Sequence, residues 1–248
     1  MKKPIKRILL GLGILIALVV ILFIWYGIKA TSEMKKMTPA ETGQLLDSVY
    51  TIKDSFVNLY FIKSGKEYIA IDGGNSIDGV KEGLVKLQIF PDNVVAVLLT
   101  HTDGDHMKAI SLFPKASIYI SKQEEQMING KKSRFVIFKN TLLGRPYNVL
   151  DDNQIISLSN LKIQGILVPG HTPGSMSYLI NNKYLFTGDA LSLQDGKIGG
   201  FNKFFNMDTR TAFESMGKLT NLQNVECIFT AHHGFTNDYK SAVKDWGN

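Results

Sequence analysis

The hydrophobic pattern splits the chain in two. Ile8 to Ile28 is an uncharged run of 21 residues rich in Leu, Ile and Val. From Val49 onward, short apolar runs alternate with breaks rich in Gly, Asn and Asp. In the second region Val49–Ile52, Val57–Ile62 and Tyr68–Ile71 read as strands, with hairpin punctuation at Ser64-Gly65-Lys66. Residues 78–88 read as a helix, and Val94–Leu99 as a wholly apolar buried strand. Further on, Lys108–Phe113 reads as a short helix and Ser117–Ile120 as a strand. Residues 123–150 are ambiguous, with a helix start at Glu124–Met127 and a strand at Ser133–Lys139 as the two readings. Strands follow at Gln154–Leu158, Leu161–Val168, Ser175–Ile180, Lys183–Phe186 and Glu226–Thr230, with a helix at Arg210–Leu219. Hairpins mixed with strand–helix alternation predict a mixed-sheet α+β sandwich flanked by helices.

The first apolar run has the roughly 20 residues that a bilayer core requires. It ends in Trp25-Tyr26, side chains suited to a membrane interface. The expected organisation is a basic segment at 1–7, a transmembrane anchor at 8–28, a polar stalk at 29–46 and a folded domain at 47–248. Ala30-Thr31-Ser32 has the small-x-small form of a cleavage site, which makes a removed signal the alternative. A soluble buried helix would need a polar face, and this run has none. Lys2, Lys3, Lys6 and Arg7 favour a cytoplasmic N-terminus and an extracytoplasmic domain in a single-pass cell-membrane protein, although Lys29, Lys35 and Lys36 weaken the asymmetry.

Charge changes the picture only near the N-terminus. Residues 1–36 hold seven Lys or Arg and one Glu, whereas 37–248 hold 21 basic and 21 acidic residues. The folded part has no cationic excess to attract nucleic acid. The single cysteine, Cys227, rules out an intramolecular disulfide and reads as a small core residue.

All five histidines gather in three short clusters, each beside a glycine. Thr100-His101-Thr102-Asp103-Gly104-Asp105-His106 follows the Val94–Leu99 strand. Pro169-Gly170-His171-Thr172-Pro173-Gly174 follows the Leu161–Val168 strand. His232-His233 precede Gly234, and Asp189 lies in Thr187-Gly188-Asp189-Ala190. Imidazole nitrogen and carboxylate oxygen are ligands for zinc and iron. Each cluster lies just beyond a strand, so a rigid sheet can bring loops that are distant in sequence to one edge. Gly170 and Gly174 allow close backbone approach around His171. Asp72, at a strand end, is expected to brace a ligand loop.

These motifs, in this order, resemble the metallo-β-lactamase superfamily, and the resemblance spans about residues 50–236. It implies an αββα sandwich with its site at one sheet edge. It implies that His101, Asp103 and His171 hold one metal, that Asp105, His106 and His233 hold a second, and that Asp189 bridges them. The common family motif is His-x-His-x-Asp-His, and Asp103 departs from it. Aspartate is a harder ligand than histidine, which tilts a zinc site toward iron or manganese, and its reach is short. One or two ions are therefore open. Adjacent residues on an extended segment point opposite ways, so only one of His232 and His233 enters the site. The family pattern favours His233 and leaves His232 as an orienter, a substrate contact or a surface residue.

The expected activity is hydrolysis by a metal-bound hydroxide of an ester, thioester, lactone, lactam or phosphodiester, with Asp105 orienting or relaying a proton. A small-molecule or lipid-like substrate is expected, since residues 199–207 carry Phe201, Phe204 and Phe205 as a possible aromatic lip or a core-packing loop. The 15 residues after His233 are too few for the helical C-terminal domain of glyoxalase II enzymes. The carboxylate at 103 makes a di-iron oxidoreductase site the first alternative, and a metal- or ligand-binding module without turnover the second.

Overall fold

The structure, a computed structural model, describes residues 3–134, 140 and 144–246. It divides into two compact units, Met1–Met37 and Thr38–Asn248. The first unit is one helix, α1 (Lys3–Met34), long and apolar enough by length and composition to cross a membrane. Its apolar side chains are exposed around the helix.

The stalk expected at 29–46, read as polar and partly helical, needs correction only where it meets the folded domain. Residues 29–34 continue the helix, with Lys29 and Glu33 paired one turn apart. At the other end, β1 (Gly43–Leu46) pairs with β2 (Val49–Asp54) as the edge of a sheet.

In the second unit, β1 and β2 continue antiparallel into β3 (Val57–Ser64) and β4 (Glu67–Ile71). Parallel strands β5 (Val94–Leu98), β6 (Ser117–Ser121) and β7 (Tyr147–Leu150) complete a seven-stranded sheet in sequence order. Helix α2 (Ile77–Leu87) connects β4 to β5, opening on the Ser76 hydroxyl, which accepts from Gly79 N at 3.0 Å. The short helices α3 (Gly104–Met107) and α4 (Glu125–Ile128) follow β5 and β6. The helix expected at 108–113 is thus displaced: α3 precedes it, and only a single turn forms at Ile110–Leu112. Residues 135–139 of the expected strand at Ser133–Lys139 lie outside the described residues.

The second sheet contains β8 (Ile155–Leu158), β9 (Leu161–Leu167), β10 (Met176–Ile180) and β11 (Tyr184–Phe186) as an antiparallel meander. Asn181 and Asn182, both at positive φ, turn β10 into β11. A separate hairpin, β12 (Leu191–Gln194) and β13 (Lys197–Gly200), leads to α5 (Thr209–Thr220). Next, β14 (Cys227–Phe229) pairs parallel with β11, β15 (Phe235–Thr236) closes the edge, and α6 (Tyr239–Val243) follows.

Alternation along β3 shows how the layers form. Leu59 and Phe61, with Ile52 of β2, share a core cluster with Val80 and Leu84 of α2. Tyr60 and Ile62 face the second sheet, where they meet Met176, Tyr178, Phe186 and Phe229. The outer face of the second sheet is covered by Met216 and Leu219 of α5 and Tyr239 of α6. The result is the expected αββα sandwich, with Cys227 buried in the central layer. At one rim the sheets are joined directly. Tyr60 Oη donates to Thr230 O at 2.7 Å, Tyr178 Oη donates to Leu99 O at 2.8 Å, and Met176 N donates to Thr100 O at 2.8 Å.

Candidate metal centre

That rim gathers the histidines. His101 follows β5, His106 lies on α3, His171 follows β9, Asp189 follows β11 and His232 follows β14. The two sheets thus contribute from opposite sides.

Close backbone passage makes the convergence possible. A Cβ at Gly174 would stand 2.1 Å from Glu124 N, and one at Gly170 would stand 2.2 Å from Ala212 N. Only glycine lets the His171 loop lie against α5 and against the turn that precedes α4.

All four imidazoles of the site are oriented in the same way. Each uses Nδ1 on a protein group and turns Nε2 inward. His106 Nδ1 bonds Asp72 Oδ2 at 2.8 Å, and His232 Nδ1 bonds Phe56 O at 2.8 Å. His101 Nδ1 meets Thr100 Oγ1 at 3.1 Å, and His171 Nδ1 meets Asn206 Oδ1 at 3.4 Å. Such partners fix the ring and leave Nε2 as a ligand.

Asp72 therefore braces the site, as expected, and does so from a left-handed backbone (φ 66). Bonds from Thr100 N at 2.7 Å, from the Thr100 hydroxyl and from His106 hold it there.

The inward-facing atoms form two sets. In the first, Asp103 Oδ2 lies 3.5 Å from His101 Nε2 and 3.3 Å from His171 Nε2. In the second, Asp105 Oδ2 lies 3.6 Å from both His106 Nε2 and His232 Nε2. Asp189 divides its oxygens between them. Its Oδ1 is 3.4 Å from His106 Nε2 and 3.1 Å from His232 Nε2, and its Oδ2 is 3.2 Å from His171 Nε2. Ligand atoms about 2.0–2.2 Å from a tetrahedral ion stand about 3.3–3.6 Å apart, so this spacing fits a zinc-class cation. Among the described residues, the buried atoms His101 Nε2, His106 Nε2 and Asp189 Oδ1 lack a hydrogen-bond partner. A buried polar atom without a partner is costly, and a cation between these atoms would satisfy them.

The electrostatics agree. Burial pulls the His106 pKa down, but Asp72, Asp189 and Asp105 outweigh it and raise it to about 10. Burial also pulls His232 down, and Asp189 and Asp105 reverse it to a net rise. Burial drives His171 down to about 4, with Asp189 opposing and Arg134 assisting. Asp189 is buried, yet His232, His106 and His171 hold its carboxyl well below the usual range. A cation bound to the second set would displace protons from His106 and His232.

Of the expected residues, the structure brings together His101, Asp103, Asp105, His106, His171 and Asp189, and corrects one. His232, not His233, enters the cluster. The His232 ring stacks between Phe56 (centroids 5.8 Å apart) and Phe201 (5.5 Å), which aims Nε2 at Asp189. His233, the next residue along the chain, is half-buried, and its N–H donates to Thr230 Oγ1 at 3.0 Å. It belongs to none of the described ligand groups. The short Asp103 side chain reaches both of its histidines. Phe201 of the anticipated lip is buried against His171 and His232 as a wall of the site.

Two participants were missed from the sequence. Buried Glu124 accepts from Thr102 N at 2.8 Å, Thr102 Oγ1 at 2.7 Å and Thr172 Oγ1 at 2.7 Å, tying the His101 loop to the His171 loop. Arg134 bonds Asp103 through Nε at 2.7 Å and through a terminal nitrogen at 2.5 Å.

The model of the metallo-β-lactamase superfamily matches residues 52–232. A hydroxyacylglutathione hydrolase of Glaesserella parasuis is 28% identical over 154 residues, 60% of this chain and 56% of that one. A probable polyketide biosynthesis zinc-dependent hydrolase of Bacillus velezensis is 30% identical over 132 residues, 52% of each chain. This chain thus spans little more than half the length of these two relatives. Among solved structures, a metallo-β-lactamase family protein of Thermus thermophilus aligns with a TM-score of 0.63 at 16% identity, covering 81% of this chain and 78% of that one. A subclass B3 metallo-β-lactamase described as having an active-site glutamic acid aligns with the same score at 15% identity, covering 88% and 90%. The rim of convergent imidazoles, the αββα layers and the family match lead to one conclusion: this chain belongs to the metallo-β-lactamase superfamily and has the fold of its hydrolases.

Proposed function

We propose that this protein is a metal-dependent hydrolase acting on a carbonyl or phosphoryl centre of a small-molecule or lipid-like substrate. The ester, thioester, lactone, lactam and phosphodiester classes are the candidates. The observation that carries this reading is the common orientation of the imidazoles. Four Nδ1 atoms are engaged by the protein, and four Nε2 atoms point at carboxylates spaced for a cation.

His106, His232 and Asp105 of the second set, with Asp189, would hold one ion, and His101, Asp103 and His171 form the other donor set. A zinc-class ion there would acidify water toward a pKa of about 7 and polarise the oxygen under attack. The protein residues orient and exclude. Asp72 and the Phe56 carbonyl fix the rings of His106 and His232. Asp105 is more open to solvent than Asp189 and would accept or relay a proton from the nucleophile. Phe201 gives the site an apolar wall that keeps water out and suits a substrate with an apolar portion. Helix α1 would tether the domain to the cell membrane, with its basic end in the cytoplasm and the site outside.

The test is elemental analysis of the purified full chain, with turnover of one probe from each substrate class by wild type, Asp105→Ala and His106→Ala. Stoichiometric zinc and loss of turnover in both variants support the reading. Full activity in either variant rejects the site. Stoichiometric iron with oxygen consumption supports the oxidoreductase alternative, which the carboxylate at position 103 favours. Metal retained without turnover of any probe supports a binding module.

A further inference from the structure

The departure at position 103 has a partner on the opposite wall. The Arg134 guanidinium lies inside the first donor set. One terminal nitrogen stands 2.5 Å from Asp103 Oδ2 and 2.7 Å from His171 Nε2. Nε donates to Asp103 Oδ2 at 2.7 Å, and the other terminal nitrogen donates to Phe205 O. His171 O accepts a further, longer contact at 3.3 Å. Two of the three atoms that a first metal would need, Asp103 Oδ2 and His171 Nε2, are therefore already bonded to one nitrogen.

Guanidinium keeps its proton throughout the accessible pH range and has no lone pair to offer a metal. A cation in the first set would meet its positive charge at contact distance. Arg134 would have to abandon all of these bonds to leave. The second set differs. His106 Nε2 and Asp189 Oδ1 are buried without hydrogen-bond partners, as is His101 Nε2 of the first set, but no described arginine or lysine bonds any atom of the second set.

Resting on the metal-dependent reading above, we propose that Arg134 replaces the first metal ion. The chain then binds a single divalent cation, at Asp105, His106, His232 and Asp189. The Arg134 guanidinium places one positive charge where a first ion would sit, and Asp103 balances it. This explains aspartate at 103: a carboxylate is the partner that a guanidinium fork needs, and a histidine is not.

The test measures stoichiometry on the full chain in detergent. Protein equilibrated with excess Zn2+ is freed of loose ion by gel filtration and assayed by elemental analysis. Wild type is expected to retain one equivalent, and Arg134→Ala two. Asp103→Ala is expected to keep one equivalent with an affinity within about threefold of wild type, since Asp103 is not a ligand of that ion. Co2+ in place of zinc provides a second readout, because one isolated ion and a coupled pair differ in electron paramagnetic resonance. Two tightly held equivalents in wild type, or loss of zinc in Asp103→Ala, would overturn the proposal and leave the hydrolase reading standing. No retained ion in any form would remove both.

Discussion

Glu124 offers the most direct probe of how the site is assembled. It lies on no ligand loop, yet its carboxylate joins two of them, and Ser121 beneath it donates to Gly174 O at 2.6 Å. Glu124→Ala strands the buried Thr102 N–H, for about 1–3 kcal/mol. The Thr102 and Thr172 hydroxyls fare better. Thr102 Oγ1 still accepts from Asn140 at 2.9 Å, and Thr172 Oγ1 lies 3.0 Å from Ser175 Oγ, so each loses about 1 kcal/mol. Burial raises the Glu124 pKa, so removing the carboxylate returns part of this. The net loss expected is about 3 kcal/mol, or roughly 6–12 °C in Tm for a domain of this size.

Glu124→Gln keeps the oxygen that serves Thr102 and only forces the Thr172 hydroxyl to turn toward Ser175, for about 1 kcal/mol. Urea denaturation of the three proteins measures the stability terms. Competition with a chromophoric chelator measures zinc affinity, expected to weaken about 10–100-fold in the alanine variant through misplaced rings. Equal stability and equal affinity in the alanine and glutamine variants would refute the idea that this carboxylate sets the loop geometry.

Three further outcomes are expected. His232→Ala should abolish tight zinc binding while His233→Ala leaves it within about threefold; chelator competition distinguishes them, and the reverse order would restore the choice of His233. Asp72→Asn should lower zinc affinity by about 10–100-fold by loosening His106, read by the same competition, and an unchanged affinity would remove Asp72 as its brace. In the presence of a strong chelator, the raised His106 pKa makes a signed prediction. Its contribution to stability is complete below about 6.5 and lost as pH rises through about 10, so denaturation midpoints should fall across that window and flatten in His106→Gln.

The strands of the layers were legible because their side chains alternate or run wholly apolar, as in β3 and β5. The strand-end placement of His101, His171 and Asp189 followed from that rhythm. The choice between His232 and His233 did not. Period-2 geometry says that one of the two enters, but Phe56 and Phe201, distant in sequence, decide which. Arg134 was hidden in Lys131-Lys132-Ser133-Arg134, where nothing local separates it from the solvated lysines. Glu124 looked like an ordinary helix start, and its burial depends on Gly174 passing against its backbone. Edge strands β1 and β7 are short and partly exposed, so their apolar signal is weak. The β12–β13 hairpin did carry a signal in Asp195-Gly196, the turn dipeptide between its strands, both at positive φ.

Because His101 and His106 hang from one sheet and His171, Asp189 and His232 from the other, an ion seated among them would act as a clasp between two half-sandwiches. Loading and folding then become thermodynamically linked. At free zinc 100 times Kd the closed state would gain about 2.7 kcal/mol, enough to let ambient metal supply govern how long the protein survives proteases.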